Sequence, residues 1–263
     1  MQTSILLDKQ ADGVAKLTLN RPDKLNAFNQ PMIKAWEKAL DDAFSDPAVR
    51  VLVLTGAGRA FCAGGDAEEM DSLPDMDSLM RKNYLWENIH RIAMLMDRTD
   101  KPVIAAVNGT ARGAGCDMAL MCDLRIAGTS ASFAESYVNF GLISGDAGTY
   151  FLPRIIGVAR ALEIFWTGRL VGSQEAERIG LVNQVVPDSE LIDVTMTLAK
   201  QIAKQPQQAI CMYKRAVYQS QTLALTTHLD MVSSHMAVLQ GTAEFAERVD
   251  AFRGRKGPKL PAR

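Results

Sequence analysis

Histidine is scarce in this chain of 263 residues: His90, His228 and His235 are the only three, each on a segment with helical spacing, and they form no metal-like cluster. A metal centre, a Ser-His-Asp triad or a Cys-His pair is therefore not expected, since each needs a histidine beside its partners. Cysteine is nearly as rare. Cys62, Cys116, Cys122 and Cys211 lack CxxC spacing, so they read as reduced, small buried residues rather than ligands, nucleophiles or disulfide partners. An excess of charge of either sign is also missing: a formal net charge of −1 removes the electrostatic case for nucleic acid. No apolar run reaches membrane-spanning length, and no N-terminal stretch pairs a charged start with an apolar core and a cleavage site. The protein is expected to make no membrane contact and to stay where it is made, in the cytoplasm.

What is present fits one sizeable core with a helical appendage. Val14 to Leu19 alternates as a half-buried strand, and Gln30 to Ser45 places Ile33, Trp36, Leu40 and Phe44 at helical spacing. Strands follow at Val51 to Thr55, Pro102 to Val107 and Leu124 to Ala127. The spacing predicts one long amphipathic helix over Met76 to Arg98, with Pro74 and Asp75 as its start signal, and a short helix ending at Met121. Beyond Pro187 only helices are expected: Leu191 to Ala203, Gln207 to Gln219 and Thr226 to Phe252. That change divides the chain into a core at 1–187 and a helical region at 188–263 that packs on the core or on another subunit. The tail from Arg253 to Arg263, rich in Lys, Arg, Gly and Pro, is expected to be loosely ordered.

The most informative features are two small-residue turns, AFCAGGD at Ala60 to Asp66 and NGTARGAGCDMAL at Asn108 to Leu120. Each follows a β-branched apolar run and leads into a helix-like stretch. A strand that stops at glycines and becomes a helix leaves backbone N–H groups unpaired at the helix start. Two such turns can aim two N–H groups at one oxygen, which implies carbonyl chemistry through an oxyanion hole. Taken singly, small residues at either turn only let strand and helix pack closely. A dinucleotide fingerprint at Gly56-Ala57-Gly58 fails, because the third glycine position holds Phe61.

With NRPDKLNAF at Asn20 to Phe28, LTGAGRAFCAGGD, KPVIAAVNGTARGAGCDMALMCDLRIA, FGLISGDAG with LPRIIG, and TGRLVGSQEAERIGLVNQVVP, the chain resembles the crotonase (enoyl-CoA hydratase/isomerase) superfamily. The match covers most of Gly13 to Pro187 in the family's order. The resemblance implies an α/β fold, a spiral of ββα units followed by an all-helical trimerisation region, in a trimer or hexamer. It implies an acyl-CoA substrate, coenzyme A entering as part of the thioester with no permanently bound cofactor, and oxyanion donors at the N–H groups of Gly65 and Ala114. By the same resemblance Lys24 and Leu25 lie near the adenine and phosphates. Ala63, Gly65, Asp66 and Ala67 line the adenine and pantetheine, Lys214 and the segment from Phe252 to Lys256 reach coenzyme A from the C-terminal region, and Glu68 replaces a lysine common in hydratases.

An oxyanion hole defines an enolate intermediate and leaves the reaction to the surrounding acids and bases. Typical hydratases hold a water between two glutamates; those positions here carry Asp117 and Tyr137. Asp117 acts through a shifted water, or merely complements a helix dipole. Tyr137 donates a hydrogen bond or a proton, or is a core aromatic. Asp146, one residue after the place where some relatives put a catalytic aspartate, handles a proton or caps the helix that begins near Ala147. Glu135, placed by strand alternation on the face of Tyr137, is a weaker candidate. The expected activity is hydratase/isomerase-like. The alternatives are a double-bond isomerase or C–C hydrolase using Asp146 and Tyr137, and a non-catalytic CoA-binding or RNA-associated scaffold.

Overall fold

Val51, Leu52, Val53 and Leu54 are all buried in the computed structural model, which describes residues 3–70 and 76–254. Successive strand residues point to opposite faces, so a strand of this kind must be covered on both sides. The rest of the first compact unit, Met1–Ala203, supplies those two covers.

In chain order this unit contains β1 (Ile5–Lys9), β2 (Val14–Leu19), α1 (Gln30–Ser45), β3 (Val51–Gly56), β4 (Ala60–Cys62), α2 (Ala67–Met70), α3 (Ser78–Glu87) and α4 (Ile89–Arg98). Next come β5 (Val103–Val107), β6 (Thr110–Arg112), α5 (Ala114–Leu120), β7 (Leu124–Gly128), β8 (Ser132–Ala134), α6 (Gly148–Ile156) and α7 (Val158–Thr167). The unit ends with β9 (Val171–Gly172), α8 (Ser173–Arg178), β10 (Gln184–Val186) and α9 (Leu191–Ala203). The larger sheet has the order β1-β2-β3-β5-β7-β10, parallel except for the β1–β2 pair. A smaller sheet, β4-β6-β8-β9, takes the short strand that follows each of β3, β5 and β7. Long strand, short strand, helix is the repeating ββα unit implied by the resemblance.

One face of the large sheet, with Leu17, Leu52, Leu54, Ala105 and Val107, packs in a cluster with Trp36 and Leu40 of α1, Ile92 of α4 and Met118 of α5. The other, with Val14, Val51, Val53, Ile104 and Ile126, is covered by Leu191, Met196, Ala199 and Ala203 of α9. The sequence pattern turns to helices at Pro187, yet the compact units divide at Ala203/Lys204, because α9 lays its apolar face on this sheet. The second unit, Lys204–Arg263, contains α10 (Gln207–Ser220), α11 (Leu225–Gln240) and α12 (Ala243–Gly254).

Two helices expected as continuous are broken. The stretch from Met76 to Arg98 starts at Ser78 with Asp77 as its side-chain cap, and divides at Asn88, whose amide donates to the Tyr84 carbonyl. Pro74 and Asp75 lie outside the described residues, as does the tail beyond Gly254. The stretch from Thr226 to Phe252 divides at Gly241, after which the Thr242 hydroxyl accepts the Phe245 N–H and starts α12. The short strands of the second sheet are too brief for alternation to reveal.

The two glycine turns pack directly against each other. A Cβ on Gly115 would lie 2.1 Å from the Cys62 carbonyl oxygen, so α5 approaches β4 only with glycine there. Gly115→Ala must push the two turns apart. It is expected to cost about 3 kcal/mol in chemical denaturation, the upper range for an overpacked interior; unchanged stability would contradict this close approach.

Candidate active site

The loop from Arg21 to Phe28 braces the first turn. The buried Asn26 amide donates to the Ala57 and Ala60 carbonyls, and the Arg21 guanidinium sits 2.8 Å from the Asp66 carboxylate. Burial raises the Asp66 carboxyl, but the Arg21 hydrogen bond, the Glu68 N–H and the charges of Arg21 and Lys24 together outweigh it and hold the group below the usual range. Phe28 pairs with Gly65 in a parallel bridge: its N–H donates to the Gly64 carbonyl, and its carbonyl accepts the Asp66 N–H. In an extended chain the intervening Gly65 N–H points the other way. No described residue accepts it, and a Cβ on Gly65 would meet open space.

The second turn reaches the same result through a helix start. The Gly113 N–H donates to the Ala134 carbonyl, and the N–H groups of Cys116 and Asp117 return to the Gly113 carbonyl. Ala114, first residue of α5, keeps an N–H that no described residue accepts, as helix geometry requires. A Cβ on Gly64 would stand 3.5 Å from the Ala114 nitrogen, which measures how near the turns are. Gly65 and Ala114 both line a cavity of about 310 Å³. Two unspent N–H groups on one cavity can receive an oxygen on which negative charge develops.

Ala63, Asp66 and Ala67 line the same cavity, as do Tyr137 and Asp146. Phe28, Tyr84, Leu85, Ile89, Phe140 and Leu142 give it an apolar wall. Asp117 and Glu135, both buried, take no part in the lining. Lys24 and Leu25 also lie outside it: the Lys24 ammonium pairs with Glu68 at 2.5 Å on the surface, so the acidic replacement partly neutralises that lysine. Leu25 accepts the Ala63 N–H through its carbonyl. Lys214 and Phe252 belong to α10 and α12 of the second unit, while Arg255 and Lys256 lie outside the described residues.

The acid/base candidates form one buried cluster. The Tyr137 hydroxyl lies 2.7 Å from Asp117 Oδ2 and 3.3 Å from Asp146 Oδ2, and Ser144 Oγ lies 3.1 Å from Asp117 Oδ2. A phenol has one proton to give, and the shorter distance assigns it to Asp117. Asp146 then bonds the Tyr137 oxygen only as a donor, in its protonated form. Burial, with the Asp117 charge added, pushes the Asp146 carboxyl up to about 7. Burial also raises Asp117, against the pull of Tyr137, Glu135 and Ser144, which favour its charged form. Tyr137 rises through burial and the neighbouring carboxylates, so it holds its proton.

Glu135 precedes a 3₁₀ turn, Ser136–Phe140, and this breaks the alternation that would have put it beside Tyr137. Its carboxyl faces Asp117 and Cys116, yet no described donor reaches either oxygen with hydrogen-bond geometry. Burial and then the Asp117 charge raise it strongly. Two facing carboxyls coexist when one is neutral, so Glu135 keeps a proton and offers it to Asp117. Burial lifts the Cys62 thiol to about 12 and raises Cys116 as well, and neither is a thiolate nucleophile. Asp146 does not cap α6; Ala147 holds that position, with φ +80° and no side-chain bond.

Sequence reasoning gave His90 no place at the site, but the structure sets its Nε2, from α4, 2.6 Å from the Gly145 carbonyl and 3.9 Å from Asp146 Oδ1. Helical periodicity identified its element, and the pairing across the fold left no local signal. Ser144 was likewise missed, although its place in the Gly-flanked loop was visible. Among the described residues no group of three or more His, Cys, Asp or Glu could hold a metal ion, and no helix is long and apolar enough to cross a membrane.

The family model for enoyl-CoA hydratase/isomerase matches residues 9–261. The chain is 36% identical over 260 residues to 1,2-epoxyphenylacetyl-CoA isomerase of Escherichia coli, covering 97% of each. It is 37% identical over 260 residues to a probable enoyl-CoA hydratase of Mycobacterium bovis, covering 97% of this chain and 91% of the relative. The crystal structure of an enoyl-CoA hydratase from Bacillus anthracis superimposes with a TM-score of 0.90 at 33% identity, over 97% of this chain and 98% of that one.

Burial of Asp146 has a consequence for stability. Its folded-state midpoint of about 7 exceeds the unfolded 3.8, so the folded protein binds more protons between them. The stability contributed by the neutral carboxyl is fully present below 3.8 and is lost as pH rises through about 7. Asp146→Asn, neutral throughout, should gain on the parent protein by roughly 1 to 4 kcal/mol between pH 4 and 8. Thermal melts of both proteins across that range test it; a constant difference would contradict the burial assigned to this carboxyl.

Proposed function

The chain belongs to the enoyl-CoA hydratase/isomerase family, and from that premise we propose that it isomerises an acyl-CoA thioester through an enolate. The thioester oxygen is held by the N–H groups of Gly65 and Ala114, and Asp146 moves the proton. The observation that carries this reading is the lining of the cavity: Asp146 is on it and Asp117 is not. Hydration needs two acid/base groups to hold and split a water, whereas a 1,3-proton shift needs one group that takes a proton from one carbon and returns it to another. A midpoint of about 7 suits a group that does both. Tyr137 stays protonated and steadies Asp146, and Asp117 fixes Tyr137.

Coenzyme A is substrate in this reading, with no resident cofactor. Ala63, Gly65, Asp66 and Ala67 take the pantetheine side, and Lys24 and Leu25 the adenine side. The four free cysteines, with burial lifting Cys62 and Cys116, suit a reducing cytoplasm.

Incubation with a panel of acyl-CoAs in deuterated water, read by mass and retention, separates isomerisation with exchange from hydration, cleavage and inertness. Isomerisation with deuterium uptake is expected; stoichiometric hydration without isomerisation would overturn the single-base reading. Ala114→Pro removes one N–H at a position where proline suits a helix start, and should lower turnover by about a hundredfold to a thousandfold. Asp146→Asn should lower it by about two to four orders of magnitude and abolish a rise of kcat/KM with a midpoint near 7. Full activity in either folded variant would end that residue's assignment.

Assembly follows from surface chemistry. In the second unit Tyr213 is 71% exposed, Leu225 70% and Phe252 63%. Apolar side chains this open, on helices with no sheet of their own, are expected to be covered by other subunits. Sedimentation should return a trimer or hexamer mass, and a monomer at micromolar concentration would contradict it.

A further inference from the structure

The Gly145–Ala147 turn is held in an unfavourable shape. Ala147 adopts φ +80°, a left-handed conformation that side chains with a Cβ resist. Asp146 Oδ1 is buried without a hydrogen-bond donor among the described residues. A strained turn whose carboxyl is held through one oxygen only, by Tyr137, needs a further hold from outside itself to keep its shape.

His90 meets that need from α4. A carbonyl oxygen can only accept, so the 2.6 Å contact between Nε2 and Gly145 O requires the proton on Nε2. With that N–H committed, Nε2 cannot also take a proton from substrate. The Trp86 ring, edge-on with centroids 6.0 Å apart, limits how the imidazole can tilt. The side chain retains 27% exposure, so an amide can replace it without leaving a buried polar group.

We propose that His90 is a positioning residue: its Nε2–H holds the Gly145 carbonyl and thereby fixes the turn that aims Asp146 into the cavity. The inference rests on Asp146 being the proton-transfer group. Displacement of a reacting group by about 1 Å can cost a hundredfold in rate without weakening substrate binding. The effect therefore belongs in kcat.

His90→Gln and His90→Asn separate this role from packing. The Gln amide nitrogen reaches about where Nε2 lies, and the Asn amide falls short of it. Turnover of the acyl-CoA isomerised by the parent protein is measured together with thermal midpoints. His90→Asn should lose about tenfold to a hundredfold in kcat with KM within about twofold, and His90→Gln should recover most of the rate. Parental kcat in His90→Asn, equal losses in the two amides, or a loss confined to KM overturns the inference. A parent protein inert towards every acyl-CoA would instead overturn the functional reading beneath it.

Discussion

The Asp117 carboxylate is the point on which the site depends. It is fully buried, and an ion in that position is tolerable only when donors surround it. Tyr137 and Ser144 donate hydroxyl hydrogen bonds to it, the Asp146 N–H faces it, and Glu135 turns a neutral carboxyl towards it. These partners come from the 3₁₀ turn, the loop before α6 and the end of β8, while Asp117 stands in the first turn of α5. One acceptor thus ties three segments to the helix whose first N–H is left unspent at Ala114. The fit is close: a Cβ on Gly148 would lie 2.0 Å from Asp117 Oδ1.

The same environment separates two aspartates that the sequence leaves equivalent. Asp117 is held by several donors and stands behind Tyr137 rather than on the cavity wall, so it acts as an anchor. Asp146 has one oxygen without a donor, lines the cavity, and feels the Asp117 charge as a reason to keep its proton. Burial raises both carboxyls, Asp117 to about 6 and Asp146 to about 7, so it is their place, one held among donors and the other on the cavity wall, that gives them different roles. Tyr137 links them, because its single proton goes to the anchor and leaves its oxygen to accept from the exchanging acid.

The parts of the fold legible in the sequence were those whose physics is local. Val51 to Thr55 reads as a strand, and the glycine turns read as N–H donors, because short apolar runs and helix starts act within a few residues. Gly241-Thr242 carried a break signal that a long apolar stripe obscured. Asn88 gave less, since its break depends on one amide reaching the Tyr84 carbonyl. The role of Arg21 and Asn26 in bracing the first turn, and the pairing of His90 with the Asp146 loop, exist only after distant segments fold together. Asp117 shows the limit most clearly: its residue type and helix-start position were visible, but its separation from the cavity is a property of packing.

On the proposed reading, Asp146 lets this chain keep the enolate intermediate while placing its acid/base group at a new position. Its neighbour Gly145 stands where some relatives carry an aspartate, and in an extended chain a one-residue shift would turn the side chain to the opposite face. Here the chain is not extended. The left-handed Ala147 rotates the backbone, Gly145 gives its carbonyl to His90, and position 146 faces the cavity instead. The two N–H groups at Gly65 and Ala114 need no such adjustment, because they are backbone and belong to the turns themselves. Acid/base side chains can therefore migrate along the loop, provided that the backbone conformation re-aims them and a neighbouring helix holds the result in place.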